Sequence, residues 1–349
     1  MCGIYGFAKK EGTMSVLERF KLRGALMDLA YQNETRGKDG TGLVLVSASQ
    51  WTLFKEATPS GELLKTKRFQ GMIREINDKT QLCLGHTRLA TIGDVRNKHC
   101  HPFVTENFLG VHNGHFLNRE ELLKKYSKTA ETPVDSEAIF RVLDGQLTVK
   151  GMVAKLSEME GDFALGFALK GDPWRLFLIR NNEKPLHVAY VSSLKTLFWS
   201  SDSEHLEYAL ARNGLQGSVW AILEDHLYVA DVRCFDSKSR MKKTPCKMKP
   251  YEGSLQTGWT EDDFHYSRQS RFFSFDELQD FGLLDGSEMH EHSKIRCVFC
   301  DGEFNAEDLF YDDTRGRFLC EACSFESSHS GNPKEQSEKT ADLFQLTGI

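Results

Sequence analysis

The sequence CGIYGF at residues 2–7 places a cysteine directly after the first methionine and opens an apolar run that is typical of a strand. Removal of Met1 would leave a thiol and an α-amine together on Cys2. A free thiol, with a pKa of about 8.5, is mostly protonated at neutral pH, whereas an α-amine, with a pKa of about 7.7–8, can accept its proton. Residues 2–7 therefore indicate a candidate hydrolase centre in which one residue supplies both nucleophile and base.

The bulk composition restricts the class of protein. With 349 residues, of which 40% are hydrophobic, the chain can form one large domain and a smaller one. A net charge of -6 argues against a general polyanion binder. There is no run of 18 apolar residues and no signal-like amino terminus, so we expect a soluble, cytoplasmic protein without a membrane partner.

Hydrophobic periodicity up to residue 231 predicts an α+β fold. The predicted strands are residues 3–7, 42–46, 51–54, 82–86, 108–112, 163–169, 175–179, 186–191 and 196–200, with a hairpin at 218–229. The predicted helices are residues 15–30, 118–126, 135–143, 149–159 and 203–211; the first begins with a capping box of Ser15 and Glu18. So many strands require more than one sheet, and we expect stacked sheets with helices on both outer faces.

The composition changes after residue 231, which predicts four parts of the chain. Residues 1–231 form the large domain, and residues 232–290, with a basic stretch followed by polar sequence, are expected to be a linker. Residues 291–325 contain two close cysteine pairs and are expected to form a small zinc-ribbon-like module. Residues 326–349, rich in Ser, Glu and Lys, are expected to be a disordered tail.

The two cysteine pairs have the spacing of a zinc site. Cys297 and Cys300 are followed after nineteen residues by Cys320 and Cys323, which suits a structural Zn²⁺ held by four thiolates with no open position. A redox disulfide is the alternative. The other five of the nine cysteines are scattered singly, which does not resemble a disulfide framework. The many acidic residues of the module disfavour nucleic acid and favour contact with a protein.

Four short motifs follow in order behind Cys2: RGKDGTG at residues 36–42, GHTRLATIG at 85–93, HNG at 112–114 and DSE at 135–137. Three lie at predicted strand ends or turns and the fourth starts a predicted helix, which is where polar site residues collect. Each motif alone is ordinary, since Asn-Gly is a common turn and an Asp before a helix is a common cap.

Together these motifs resemble the class II glutamine amidotransferase domain, an N-terminal-nucleophile glutaminase, and the resemblance extends from Cys2 to about residue 231. It implies a four-layer αββα sandwich, in agreement with the stacked sheets expected above. It also implies that Cys2 attacks the glutamine amide and that the Asn113 side chain and the Gly114 backbone N–H form the oxyanion hole. The resulting γ-glutamyl thioester would be hydrolysed without any cofactor.

The resemblance also assigns the substrate contacts. The residues matching Arg88 and Thr91 hold the α-carboxylate of glutamine, and the residue matching Asp135 holds its α-ammonium group; a guanidinium fork suits a carboxylate. Two positions depart from the pattern, because several relatives have tryptophan where this chain has Leu89 and histidine where it has Ile92. We therefore expect hydrolysis with altered loop closure. The turn at residues 36–39 also lacks the proline common in that motif.

The sequence thus predicts a glutamine-hydrolysing amidotransferase with glutamine as substrate. No acceptor domain is recognisable after residue 231, so the ammonia is expected to pass to a separate synthetase or ATP-dependent ligase. Two alternatives remain open at this point: a hydrolase of another γ-glutamyl amide, and a zinc-ribbon adaptor whose glutaminase domain is a vestigial scaffold.

Overall fold

A computed structural model describes residues 1–181, 184–235 and 241–249, together with the backbone of five short strands beyond residue 271. The chain divides into two compact units, Met1–Ser267 and Arg268–Ile349, and each is described by itself.

The first unit contains thirteen strands and seven α-helices among its described residues. The strands are β1 (Gly3–Lys9), β2 (Gly40–Ser47), β3 (Trp51–Glu56), β4 (Thr80–Arg88), β5 (Phe103–Val104), β6 (Phe108–Phe116), β7 (Gly161–Leu169), β8 (Asp172–Arg180), β9 (His187–Val191), β10 (Thr196–Ser200), β11 (Val219–Ala221), β12 (His226–Asp231) and β13 (Met241–Pro245). The helices are α1 (Val16–Asn33), α2 (Ser60–Leu63), α3 (Lys67–Arg74), α4 (Arg119–Lys125), α5 (Asp135–Leu143), α6 (Val149–Leu156) and α7 (Ser203–Arg212). Along the described residues, no helix combines the length and apolarity needed to cross a membrane.

These strands form two antiparallel sheets. Within the described residues, the first sheet has the order β11-β9-β10-β1-β4-β2-β3 and the second the order β13-β12-β8-β7-β6-β5. The inner faces meet in one apolar cluster, to which β1 contributes Ile4 and β6 contributes Val111. Helices α1 and α7 cover the outer face of the first sheet, and α5 and α6 cover that of the second. The predicted four-layer αββα sandwich is confirmed.

Local sequence signals explain where two of the covering helices start and pack. The predicted capping box is present, because Ser15 Oγ accepts from the N–H of Glu18 and the Glu18 carboxylate accepts from the N–H of Ser15. Helix α5 packs against β6 at Gly110, where a Cβ atom would lie 2.1 Å from the Phe140 ring. The missing side chain of Gly110 therefore sets how closely α5 approaches the second sheet.

The predicted hairpin at residues 218–229 is wrong. Strand β11 pairs with β9 in the first sheet, whereas β12 pairs with β8 in the second. The chain crosses between the sheets at residues 222–225, where the N–H of Ile222 donates to Leu186 O and the N–H of Asp225 donates to Arg180 O. Alternating apolar residues fit either sheet, so the pattern does not reveal this crossing.

The stretch predicted as a linker contains further structure. Met241–Pro245 forms β13, which pairs with β12 at the edge of the second sheet. Directly after it, Cys246 and Met248 are buried in the core beneath the helices of that sheet. Residues 241–249 therefore extend the first unit beyond residue 231.

The second unit is described only as the backbone of its strands β14 (Phe272–Phe273), β15 (Lys294–Arg296), β16 (Glu303–Asn305), β17 (Leu309–Asp312) and β18 (Arg317–Cys320). Strand β15 pairs with β16, and β17 pairs with both β14 and β18. Of the four predicted zinc ligands, Cys297, Cys300 and Cys323 lie outside the described residues. Cys320 is the last residue of β18, and its side chain is not described.

Three buried histidines cluster around β4 and β6; the His112 ring faces α5, and its backbone carbonyl faces the first sheet. His86 of β4 donates from Nε2 to the carbonyl of His112 on β6 at 3.1 Å, which ties one sheet to the other. The His101 ring stacks on His86 with centroids 3.8 Å apart. Burial lowers the pKa of His86 to about 3 and that of His112 to about 4, and it also holds the pKa of His101 well below its usual value. All three imidazoles are therefore neutral at physiological pH.

This histidine cluster predicts acid sensitivity. Because the folded-state pKa values are lower than the unfolded value of about 6.5, the unfolded chain binds more protons as the pH falls below that value. The free energy of unfolding should therefore fall by about 2 kcal/mol for each imidazole when the pH is lowered from 7 to 5. Urea denaturation at the two pH values measures this. His112→Asn should reduce the difference, and equal stabilities at pH 7 and pH 5 would contradict the account.

The packing of α5 predicts a second effect on stability. Gly110→Ala should lower the free energy of unfolding by about 1–3 kcal/mol, because the new methyl group overlaps the Phe140 ring. The matched control is Gly71→Ala within α3, where no heavy atom of the described residues lies within 4 Å of the added Cβ. That change should leave stability equal or raise it by up to about 1 kcal/mol. Similar losses in both variants would contradict the assigned packing.

Candidate functional site

The position of Cys2 follows from the pairing of β1 with β4. Gly3 lies opposite Thr87, so Cys2 lies beside the end of β4 and the loop that follows it. The N–H of Leu89 donates to Cys2 Sγ at 3.3 Å, and the Leu89 carbonyl lies 3.5 Å from the same sulfur. The thiol is half-buried and contacts the backbone of the residue directly after Arg88.

The electrostatics of Cys2 keep its thiol protonated at rest. Burial raises the pKa of Cys2, the N–H of Leu89 partly offsets this, and the charges of Asp135 and Arg88 act on it in opposite directions. Both predicted substrate-binding residues are therefore close enough to Cys2 to influence its ionisation. Burial also lowers the pKa of the amino terminus, which in this chain belongs to Met1.

The glycine-rich turn at residues 36–39 holds Cys2 and the end of β4 together. Arg36 donates from Nε to the carbonyl of Cys2 at 3.1 Å. The N–H of Asp39 donates to Arg88 O at 2.8 Å, and the Asp39 carboxylate accepts from the N–H of Ala90 at 2.7 Å. These contacts fix the backbone of Cys2 and that from Arg88 to Ala90.

Close approach explains the glycine in this turn. A Cβ atom at Gly37 would lie 2.4 Å from the carbonyl carbon of Arg88 and 2.6 Å from the nitrogen of Leu89. A side chain at this position would push the turn away from the segment that contacts the Cys2 sulfur. Arg36 and Asp39 therefore support the predicted site. The sequence places both in the motif at residues 36–42 but does not indicate what either residue does.

Arg88 organises the loop that follows β4. Its guanidinium donates to Ile92 O at 2.8 Å and to Asp94 O at 2.9 Å, and the residue is 2% exposed. Thr91 lies exposed in this loop, away from such burial. The guanidinium therefore binds carbonyl groups of its own loop. Because Arg88 is also the residue predicted to bind the substrate carboxylate, its position depends on that of residues 92–94.

Asn113 and Gly114, the predicted oxyanion-hole residues, lie near the end of β6. Asn113 is 2% exposed, and its Nδ2 has no hydrogen-bond partner among the described residues. Gly114 has φ +147°, and a Cβ atom there would lie 1.7 Å from Asp162 O. This donor is therefore available to a ligand, since a buried donor left without a partner is costly in a native protein. Only glycine fits at the neighbouring position.

Asp135 is fixed at the start of α5. Its Oδ2 accepts from the N–H of Phe116 at 2.8 Å, and its Oδ1 accepts from the N–H of Ser136 at 2.9 Å. The first contact ties α5 to the end of the strand that carries Asn113. The residue is 5% exposed, so a carboxylate is held by backbone donors at a largely buried position.

The structure thus brings the ends of β1, β4 and β6 and the start of α5 to one place. The charges of Arg88 and Asp135 both act on the pKa of Cys2, and Asn113 lies three residues before Phe116, whose N–H donates to Asp135. The arrangement offers a thiol, an unpartnered amide donor, a cation and an anion. Such a set can bind a zwitterionic amino acid and stabilise a tetrahedral oxyanion.

Comparison with known proteins agrees with this geometry. Residues 86–208 match the family described as the glutamine amidotransferase domain. Over 200 residues the chain is 30% identical to the 7-cyano-7-deazaguanine synthase of Saccharolobus solfataricus, covering 54% of this chain and 40% of that protein. It is also 30% identical over 197 residues to the glutamine–fructose-6-phosphate aminotransferase of Shouchella clausii, covering 54% of this chain and 30% of that one. The chain spans less than half of each relative.

Solved structures support the same fold. The glutamine phosphoribosylpyrophosphate amidotransferase from B. subtilis superposes with a TM-score of 0.53 at 18% identity, covering 71% of this chain and 50% of that one. A structure described as the allosteric regulatory enzyme of purine biosynthesis gives a TM-score of 0.54, also at 18% identity. The matched family segment includes Arg88, Asn113 and Asp135. Residues 86–208 therefore resemble a glutamine amidotransferase domain, and the two-sheet sandwich has the fold of the two solved enzymes.

Proposed function

We propose that the protein hydrolyses the side-chain amide of glutamine through a thioester on Cys2 and releases glutamate and ammonia. The observation that carries this proposal is the buried Asn113 Nδ2 without a partner in the described part of the chain, on the strand that Asp135 anchors. A preorganised donor of this kind stabilises the tetrahedral oxyanion of amide hydrolysis, commonly by a few kcal/mol. The N–H of Gly114 is the proposed second donor.

The proposed proton transfers follow from the ionisation of the site. Because burial raises the pKa of the Cys2 thiol, the thiol requires a base before it attacks. Burial lowers the pKa of the Met1 amine, the Cys2 thiolate opposes this, and the charges of Arg36 and Lys184 add to the lowering. Removal of Met1 would take that amine away and turn the backbone nitrogen of Cys2 into a new α-amine. It would accept the thiol proton as the S–C bond forms and return it to the leaving ammonia, and water would then release glutamate.

Substrate selection is proposed to depend on two opposite charges. Arg88, with support from Thr91, would bind the α-carboxylate of glutamine, and Asp135 would bind its α-ammonium group. Because Arg88 also donates to Ile92 O and Asp94 O, carboxylate binding would be coupled to the position of this loop. Leu89 and Ile92 are the loop residues through which closure would differ from that of relatives with tryptophan and histidine.

The ammonia acceptor is proposed to be a separate synthetase or ATP-dependent ligase. The relatives matched are named as a synthase and an aminotransferase, and the chain spans 40% and 30% of their lengths. This is consistent with glutaminase chemistry that serves a second reaction.

The five cysteines of the described part are free thiols, which suits the proposed cytoplasmic location.

The carboxyl-terminal segment is proposed to hold a structural Zn²⁺. In sequence, Cys297 and Cys300 fall between the paired strands β15 and β16, and Cys320 ends β18. The spacing of these cysteines in the sequence, together with Cys323, supports a four-thiolate site in residues 291–325. We propose that this module contacts the partner protein, with residues 326–349 as a tail beyond it.

The nucleophile assignment predicts the loss of two activities together. Cys2→Ala should lower glutamine hydrolysis by at least about a thousandfold, because no thioester can form. It should also abolish covalent labelling by a diazoketone analogue of glutamine. Release of glutamate and the mass of the labelled protein measure the two effects.

The control for this experiment is Cys234→Ser, which removes an exposed free thiol. It should leave both hydrolysis and labelling unchanged. Hydrolysis by Cys2→Ala at a rate near that of the unmodified protein would refute the proposal. Labelling of Cys2 without any glutamate release from millimolar glutamine would instead favour a hydrolase of another γ-glutamyl amide.

The zinc proposal predicts a metal content. Elemental analysis should find about one zinc per chain and essentially none after Cys297→Ser combined with Cys300→Ser. The Cys234→Ser protein should keep its zinc. A native protein without zinc, in which Cys297 and Cys300 are recovered as a disulfide, would overturn this assignment and support the redox alternative.

A further inference from the structure

A serine hydroxyl and a buried imidazole extend from the Asp135 carboxylate into the second sheet. Ser136 Oγ lies 3.4 Å from Asp135 Oδ1 and 2.8 Å from His112 Nδ1. On the other side of the ring, His112 Nε2 lies 3.5 Å from the carbonyl oxygen of Asp162. Asp135, Ser136 and His112 are 5%, 3% and 1% exposed, so bulk water competes little for these contacts.

The available protons restrict how this chain can be arranged. A hydroxyl carries one proton, and a neutral imidazole carries one N–H. With the proton on Nδ1, His112 donates to Ser136 Oγ and the hydroxyl donates to Asp135 Oδ1. With the proton on Nε2, His112 faces the Asp162 carbonyl as a donor and the Ser136 hydroxyl donates to Nδ1. Only the first arrangement gives Asp135 Oδ1 a hydrogen bond from the Ser136 hydroxyl, because in the second the single hydroxyl proton is used on Nδ1; the first is the arrangement that supports the carboxylate.

Such support matters because the carboxylate torsion of aspartate has no narrow rotamer preference. Two backbone donors, the N–H of Phe116 and that of Ser136, each bind one oxygen of Asp135. A carboxylate has about four lone-pair sites, so these donors and the hydroxyl leave at least one site for a ligand. The position of the hydroxyl decides which direction remains open.

We propose that Ser136 and His112 are positioning residues that orient the Asp135 carboxylate toward the α-ammonium group of a bound amino acid. The inference rests on the proposed function, in which Asp135 binds that group. Neither residue is among those proposed to bind the reacting amide. His112 directly precedes Asn113 in β6. Its carbonyl accepts from His86 of the first sheet.

The test compares two ligands that differ only in the ammonium group. Glutamate and glutarate are titrated as protectants of Cys2 against iodoacetamide in the full chain, and modification is read from the mass of the amino-terminal peptide. Ser136→Ala should raise the half-protecting concentration of glutamate about 2- to 10-fold, as expected for one lost hydrogen bond. That of glutarate should stay the same. The KM for glutamine should rise by a similar factor with kcat nearly unchanged.

A second variant guards against an effect of the serine substitution on folding. His112→Asn leaves Ser136 in place but removes the imidazole, and it should produce the same selective loss of glutamate binding. The matched control is Ser157→Ala at the end of α6, whose hydroxyl lies 3.9 Å from Cys246 Sγ. Ser157→Ala should change the half-protecting concentration of neither ligand.

The outcomes separate this inference from the proposed function. Equal losses for glutamate and glutarate in Ser136→Ala and His112→Asn, or no loss for either, would overturn the positioning role. Asp135→Asn tests the proposed function itself, since it should weaken protection of Cys2 by glutamate and leave protection by glutarate unchanged. If it does not, the assignment of Asp135 to the ammonium group fails. If Asp135→Asn selectively weakens protection by glutamate but the Ser136 and His112 variants do not, only the positioning role fails.

Discussion

The antiparallel pairing of β1 with β4 is the constraint on which the rest of the site depends. It places Cys2 next to the residue that follows Arg88, so that the N–H of Leu89 reaches the sulfur at 3.3 Å. The glycine-rich turn then holds both segments, because Arg36 binds the carbonyl of Cys2 and Asp39 binds the backbone after Arg88. A change in this register by one residue would turn the thiol to the other face of the sheet.

The second sheet supplies the complementary half of the site from β6 and α5. Gly110 lets α5 approach closely, and Asp135 at the start of that helix binds the N–H of Phe116 at the end of β6. The buried histidines connect the two halves, since His86 on one sheet binds the carbonyl of His112 on the other. The polar groups of the site are therefore held by an apolar sandwich through a small number of directional contacts.

Much of this arrangement is predictable from the sequence because local signals agree with the tertiary structure. The capping box at Ser15 and the apolar runs of the central strands identify α1 and most of both sheets, and the ordered motifs predict the residues proposed for the site. Helices α2 and α3 were not predicted. The crossing at residues 222–225 was missed because alternation does not state which sheet a strand joins. The supporting contacts of Arg36 and Ser136 depend on distances between segments that periodicity cannot supply.

The central claim of the account is that Cys2, once Met1 has been removed, forms a thioester with the γ-glutamyl group of glutamine. The most direct measurement is the intact mass of enzyme quenched in acid during turnover of glutamine, followed by location of the adduct on a peptide. The account predicts a species that lacks Met1 and carries one γ-glutamyl group on Cys2. Active enzyme that retains Met1, or an adduct located on another residue, would contradict it.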